Sequence, residues 1–174
     1  MEPPRPPTPC FCCMKTNVKY IPDGFHAVTP YLTVKNAQQA IEFYKRAFGA
    51  RERTRMAGPD GKVAHAELQI ADSIIMLGEE CPEHGGVSPQ TLEGSPVGLA
   101  FYVQNVDEAF DRAVNAGATV KEPVGDKFWG DRTGSLTDPF GHRWMLLTHI
   151  EDVPPQEMKK RMAEAFSTAS PGNK

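Results

Sequence analysis

His65 and Glu67 stand two residues apart in the run Val63-Ala64-His65-Ala66-Glu67-Leu68-Gln69-Ile70. Strand alternation puts every second side chain on one face, so Ala66, Leu68 and Ile70 suit a buried side while His65, Glu67 and Gln69 share the other. An imidazole beside a carboxylate can move a proton near neutral pH, because histidine's charge changes there and the carboxylate favours its cation. With a third ligand from elsewhere the same pair could hold a metal; with none it is a hydrogen-bonded polar patch on a wet strand face. A second concentration of chemistry is Lys127-Phe128-Trp129-Gly130-Asp131-Arg132. Exposed aromatic rings next to an arginine can stack on a planar ligand. That segment reads either as a lid or as a packed loop held by an ion pair of Asp131 or Arg132. His26, His84, His142 and His149 are read as surface or satisfied side chains, with His142 facing outward at a strand start.

Three of the four cysteines, Cys10, Cys12 and Cys13, crowd near the start, and Cys81 stands alone. A disulfide framework would spread its cysteines through the core, so reduced thiols are expected. The C-x-C-C cluster lacks partner ligands at zinc-finger spacing. It reads as part of a disordered, Pro-rich leader over residues 1–24, in which Met14 is an alternative start.

The elements that must position the chemistry come from an internal repeat. Residues 34–41 (VKNAQQAI) align with residues 103–110 (VQNVDEAF), and both segments run on to a Gly-Ala pair, Gly49-Ala50 and Gly117-Ala118. Each copy offers a strand, an Asn as N-cap and a Gln39 or Glu108 three residues later. The helices carry apolar stripes, Ala37, Ala40, Ile41, Tyr44 and Phe48 in the first and Val106, Ala109, Phe110 and Ala113 in the second. The glycines sit where a left-handed residue stops a helix. Three strands are predicted after each helix: residues 51–56, 63–70 and 74–79, then 119–123, 134–137 and 142–148. Residues 151–166 predict a C-terminal helix entered through Pro154-Pro155, with Met158, Met162, Ala165 and Phe166 on a docking face, followed by a polar tail over 167–174.

With 174 residues, a net charge of -3 and 40% hydrophobic content, the chain suits one domain, and the repeated strand–helix–three-strand pattern makes its class α+β. Mixed charge of mildly acidic balance offers no phosphate-tracking surface, which argues against nucleic acid as a partner. No apolar run reaches the roughly 20 residues a spanning helix needs, and the start lacks a secretory pattern, so the expected location is the cytoplasm.

The segments 30–50 and 98–118, with the Asp138-Pro139-Phe140-Gly141 turn, resemble the two modules of the vicinal oxygen chelate superfamily of glyoxalases, bleomycin-resistance proteins and extradiol dioxygenases. The resemblance covers residues 26–150 and is nearest in pattern to its bacterial PhnB-like, glyoxalase-like branch. It implies two tandem βαβββ modules, at residues 25–80 and 97–149, forming a cupped, barrel-like mixed sheet with helices on the outer face. It also implies a homodimer, in some members with modules exchanged between chains. Enzymes of this family chelate two neighbouring substrate oxygens on a divalent metal, whose ligands stand on the first and last strand of each module. Those positions fall on Thr29, Met76, Gly98 and Met145, and no residue one step away supplies imidazole or carboxylate.

No cofactor is therefore expected. Taking the four positions as inward-facing, the cup is lined by Tyr31, Thr33, Gln69, Met76, Tyr102, Arg143 and Met145, with Trp129 and Arg132 at its rim. The expectation is a small organic ligand sequestered without metal, in the manner of the bleomycin-resistance branch. The alternative is an enzyme working through His65 and Glu67 or an unorthodox metal site.

Overall fold

The computed structural model describes residues 18–168, so the cysteine cluster at Cys10–Cys13, the start of the leader and residues 169–174 lie outside the described residues. The first module runs β1 (Tyr31–Val34), α1 (Ala37–Phe48), β2 (Arg51–Ala57), β3 (Val63–Ile70) and β4 (Ser73–Glu79). The second runs β5 (Gly98–Tyr102), α2 (Val106–Asn115), β6 (Thr119–Asp126), β7 (Asp131–Thr137) and β8 (Arg143–His149), and α3 (Pro155–Thr168) follows. Each module folds into a four-stranded sheet, in the orders β1-β4-β3-β2 and β5-β8-β7-β6. The first strand of each lies parallel to the last, and the other pairs are antiparallel. The two βαβββ units expected from the repeat are present.

The helices form where the repeat places them. Asn36 and Asn105 each accept the N–H three residues on, from Gln39 at 3.1 Å and Glu108 at 3.3 Å. Gly49 closes α1 at φ 65°, a backbone state that costs glycine nothing. The stripes then bury Ala37, Ala40, Ile41, Tyr44 and Phe48 from α1, and Val106, Ala109, Phe110 and Ala113 from α2.

One expectation is corrected. The sheets do not close into a cup within the chain: β1 and β5 are both edge strands, and no strand of one sheet pairs with the other. The modules are joined instead by a single core built on the helix side of both sheets. There α1 packs on α2, Phe48 meets Trp144 at 4.5 Å between ring centroids, and Tyr44 meets Trp144 at 5.7 Å. A bulk of apolar and aromatic side chains draws the helices together between the modules, and the opposite sheet faces are left open. Tyr31, Met56, Tyr102 and Met145 are all exposed there.

Of the two readings of Lys127–Arg132, the packed, ion-paired one holds: β6 and β7 extend to Asp126 and Asp131, only a four-residue turn remains, and Asp131 and Arg132 are both paired. That turn is pinned, since the carbonyl of Gly130 accepts the N–H groups of Ile150 and Glu151 at 2.9 and 3.0 Å. Gly130 has φ 94°, and a Cβ on it would collide with the Glu151 carbonyl. His142 does not face outward; it is 8% exposed, with Nε2 3.2 Å from the Thr33 carbonyl across the module junction.

Helix α3 is tied to its own domain through Arg161, bound to Glu151 at 2.7 Å, and through Phe166 beside Phe128, while Glu157 one turn earlier on the helix holds the same guanidinium at 3.0 Å. No helix among the described residues is long and apolar enough to cross a membrane.

Candidate functional site on the open sheet faces

On the first sheet, register places Tyr31 opposite Met76 and Met76 opposite Glu67, in one row across β1, β4 and β3. His65 and Gln69 flank that row on the same face. Gly78 lets the Tyr31 phenol lean across the sheet, because a Cβ there would lie 2.8 Å from its hydroxyl. The Tyr31 oxygen stands 3.5 Å from His65 Nδ1, and His65 Nε2 is 3.7 Å from a Glu67 oxygen. Both separations exceed a good hydrogen bond. The imidazole thus sits between a phenol and a carboxylate, within reach of both and tightly bound to neither. Gln69 is engaged, accepting from Arg51 at 3.3 Å and donating to the Ala71 carbonyl at 3.1 Å. Thr33 lies at the far edge, beside Gly86 of the inter-module linker.

On the second sheet the open face carries Gly98, Ala100 and Tyr102 from β5, and Arg143, Met145 and Leu147 from β8. A hollow of about 200 Å³ opens around Gly98, Ser135, Arg143 and Met145. At the other end Asp131, 6% exposed, gathers three donors. Tyr102 Oη donates to its Oδ2 at 3.2 Å, Trp129 Nε1 donates to the same oxygen at 3.1 Å, and His149 Nδ1 lies 2.7 Å from Oδ1. Asp152 holds the other ring nitrogen of His149 at 3.0 Å. Hydrogen bonds to Asp131 and then to Asp152 hold the imidazole's pKa above its ordinary value.

The structure therefore brings Tyr31, His65, Glu67 and Met76 together on one face, and Arg143 and Met145 on the other. Tyr102 and Trp129 are drawn into the Asp131 cluster. Arg132 is on the wrong side for the rim position expected of it: it points to the helix face, where Asp107 at 2.7 Å and Asp126 at 2.7 Å bind its guanidinium. The physical reason is alternation, since Arg132 lies within β7 next to Asp131 and must take the opposite face. Sequence reasoning offered an ion pair of Asp131 but did not find its partner, His149. Register alone would have found it, because the two residues are directly opposite in β7 and β8.

The four positions at which the family resemblance implies metal donors hold a poor set. Thr29 donates its hydroxyl to the His26 carbonyl at 3.0 Å. Met76 and Met145 offer thioethers, and Gly98 offers backbone alone. Hard divalent cations want imidazole or carboxylate, so these residues do not fit one.

Comparison with known proteins agrees with the two-module fold. The sequence model of the Glyoxalase/Bleomycin resistance protein/Dioxygenase superfamily matches residues 24–146. The uncharacterized protein Mb0911c of Mycobacterium bovis is 43% identical over 140 residues, 79% of this chain and 92% of that protein. The crystal structure of TioX from Micromonospora sp. ML1 is 28% identical and aligns with a TM-score of 0.56 over 71% of this chain and 98% of that one. The At5g48480 gene product of Arabidopsis thaliana is 30% identical at a TM-score of 0.56, over 70% of this chain and 98% of that one. The chain belongs to the Glyoxalase/Bleomycin resistance protein/Dioxygenase superfamily.

Proposed function

We propose that the protein binds a small organic molecule without a metal, on the open sheet faces, and that a second copy of the chain closes the site. The observation that carries this reading is the donor set just described: a tethered hydroxyl, two thioethers and a glycine where the family resemblance implies metal ligands. The same faces keep groups suited to an organic ligand, namely Tyr31, Gln69, Tyr102 and Arg143 for contact and His65 and Glu67 for polar recognition. The exposed Tyr31, Met56, Tyr102 and Met145 give a homodimer apolar surfaces to bring together.

The test is a thermal-shift screen of the full chain against aromatic and glycopeptide-like compounds, run beside Zn²⁺, Ni²⁺, Mn²⁺ and Mg²⁺. A ligand at 100 times its Kd stabilises the fold by about 2.7 kcal/mol, which such a screen resolves. Stabilisation by an organic compound and by no cation supports the reading. A stoichiometric metal held by side chains of the open faces in freshly purified protein overturns it.

The placement of His65 between Tyr31 and Glu67 favours one second reading, an enzyme that moves a proton through His65. That reading requires His65→Ala to abolish a turnover, and an undiminished rate in the variant removes it.

A further inference from the structure

The hollow of about 200 Å³ in the second sheet is lined by two positively charged side chains, Lys121 and Arg143, and by no Asp or Glu. Several cations of the molecule are answered by carboxylates: Arg55 by Glu52, Arg132 by Asp107 and Asp126, Arg161 by Glu151 and Glu157, Lys127 by Glu122. Lys121 and Arg143 have no carboxylate partner among the described residues. Glu122, next to Lys121 in sequence, is bound by Lys127.

Two backbone features build this arrangement. Val120 pairs with Leu136 and Glu122 with Ser135, so Lys121 is the extra residue of a bulge in β6, and it lines the hollow beside Ser135. A bulge is a standard means of re-aiming one side chain against the alternation of its strand. Gly98 lies opposite Arg143 across β5 and β8. A Cβ at Gly98 would meet nothing within 4 Å, so the space beside the guanidinium is open. Leu99, Leu136 and Met145 give the same hollow an apolar wall.

We propose that this hollow takes the headgroup of an organic anion, a carboxylate or phosphate carried on a small apolar body. Arg143 and Lys121 receive the oxyanion with the Ser135 hydroxyl, and Met145 and the bare backbone at Gly98 receive the body. Arginine's planar fork matches such a headgroup, and charge-assisted hydrogen bonds are the stronger kind. A neutral ligand leaves both positive charges unanswered. The inference rests on the small-molecule reading above and narrows it to one ligand class.

The experiment is an amide NMR titration of the full chain with benzoate, phenyl phosphate and benzamide at fixed moderate salt. Benzoate or phenyl phosphate shifts the amides of residues 98–100, 135 and 143–145, and whichever binds more tightly identifies the oxyanion. Benzamide, the same size without charge, binds at least about tenfold more weakly, a difference of about 1.4 kcal/mol. Arg143→Gln and Lys121→Gln, both surface changes, each weaken the anion about tenfold. Gly98→Leu keeps both cations but fills the space, and it abolishes binding. The inference is overturned if neither anion shifts these amides, if benzamide binds as tightly as benzoate, or if Arg143→Gln keeps full affinity. Tight benzamide binding at the same residues removes only the anion assignment and leaves the small-molecule reading standing; that reading falls by its own screen.

Discussion

Asp138 and Asp131 are both buried carboxylates of the second module, at 4% and 6% exposure, and their donors differ in kind. Asp138 accepts from the Tyr44 hydroxyl at 2.7 Å, Trp144 Nε1 at 3.0 Å and the backbone N–H groups of Phe140 and His142 at 2.9 Å each. None of these donors titrates near neutrality, and one comes from the other module, so Asp138 is a joint between modules. Its negative charge, after burial itself, pushes the Tyr44 hydroxyl well above its ordinary pKa. Tyr44→Phe removes one bond to a buried charge, and we expect a loss of about 1.5–3 kcal/mol. Urea unfolding should show a lower midpoint with an unchanged m-value. Asp131, by contrast, depends on His149, whose raised pKa makes the charged form the stabilising one. Its contribution is complete below the ordinary value of 6.5 and is lost as pH rises through the higher folded value. Burial pushes His142 the other way, so its contribution is complete above 6.5 and is lost as pH falls through the lower folded value. An imidazole NMR titration should therefore find His149 above and His142 below the free residue, and the stability gap between wild type and His149→Gln should shrink as pH rises from about 6 to about 9. The Asp131–His149 pair spans 18 residues and becomes visible only when β7 is begun at Asp131. Gly130 and its polar neighbours read as loop because the same residue types make both a long loop and a tight turn.

The elements show why the helices were legible and part of what holds them was not. Both N-caps are asparagines found in the sequence, but their backbones differ: Asn36 has φ 61° and Asn105 has φ −137°. Asn105 occupies ordinary extended backbone, whereas Asn36 sits in the left-handed region, which asparagine tolerates better than most residues. Asn105→Ala should cost about 1 kcal/mol, the loss of a cap. Asn36→Ala should cost about 2 kcal/mol or more, because strain adds to the lost cap. Asn36→Gly, which relieves the strain, should recover part of that loss, and parallel urea melts of the three variants check the order. Identical costs for Asn36→Ala and Asn105→Ala would rule out the strain component. The caps have remote partners as well. Glu79 accepts the N–H groups of Asn36 and Ala37 at 2.7 Å each, and the Thr148 hydroxyl accepts that of Val106 at 2.9 Å. A carboxylate at one helix start and a hydroxyl at the other do the same work from the ends of β4 and β8. Local spacing finds an N-cap three residues from its donor, but it cannot find a partner 43 residues away.

For the whole molecule, the repeat specified two βαβββ units without specifying which pair of faces they share. The same strands and stripes serve a cup closed within one chain or one closed between chains. The choice rests on the shared core of Tyr44, Phe48, Phe140 and Trp144, which packs the helix sides of the two modules together around α1 and α2. That core leaves the opposite faces uncovered, with Tyr31 at 51%, Met56 at 56% and Tyr102 at 58% exposure. Apolar side chains gathered on a face in this way favour association. Under the proposed pairing, sedimentation should report about twice the 19.2 kDa chain mass at micromolar concentration. Met56 lies opposite His65 in β2 and β3, and Met145 opposite Ser135 in β7 and β8, so both belong to the open faces and neither touches the shared core. Met56→Glu and Met145→Glu each place a charge where the second copy would sit. Each should raise the dimer Kd about tenfold or more, near 1.4 kcal/mol, while the far-UV circular dichroism of the modules stays as it is. A wild-type protein that sediments as a single chain at every concentration would overturn the proposed pairing and leave both sheet faces open to solvent.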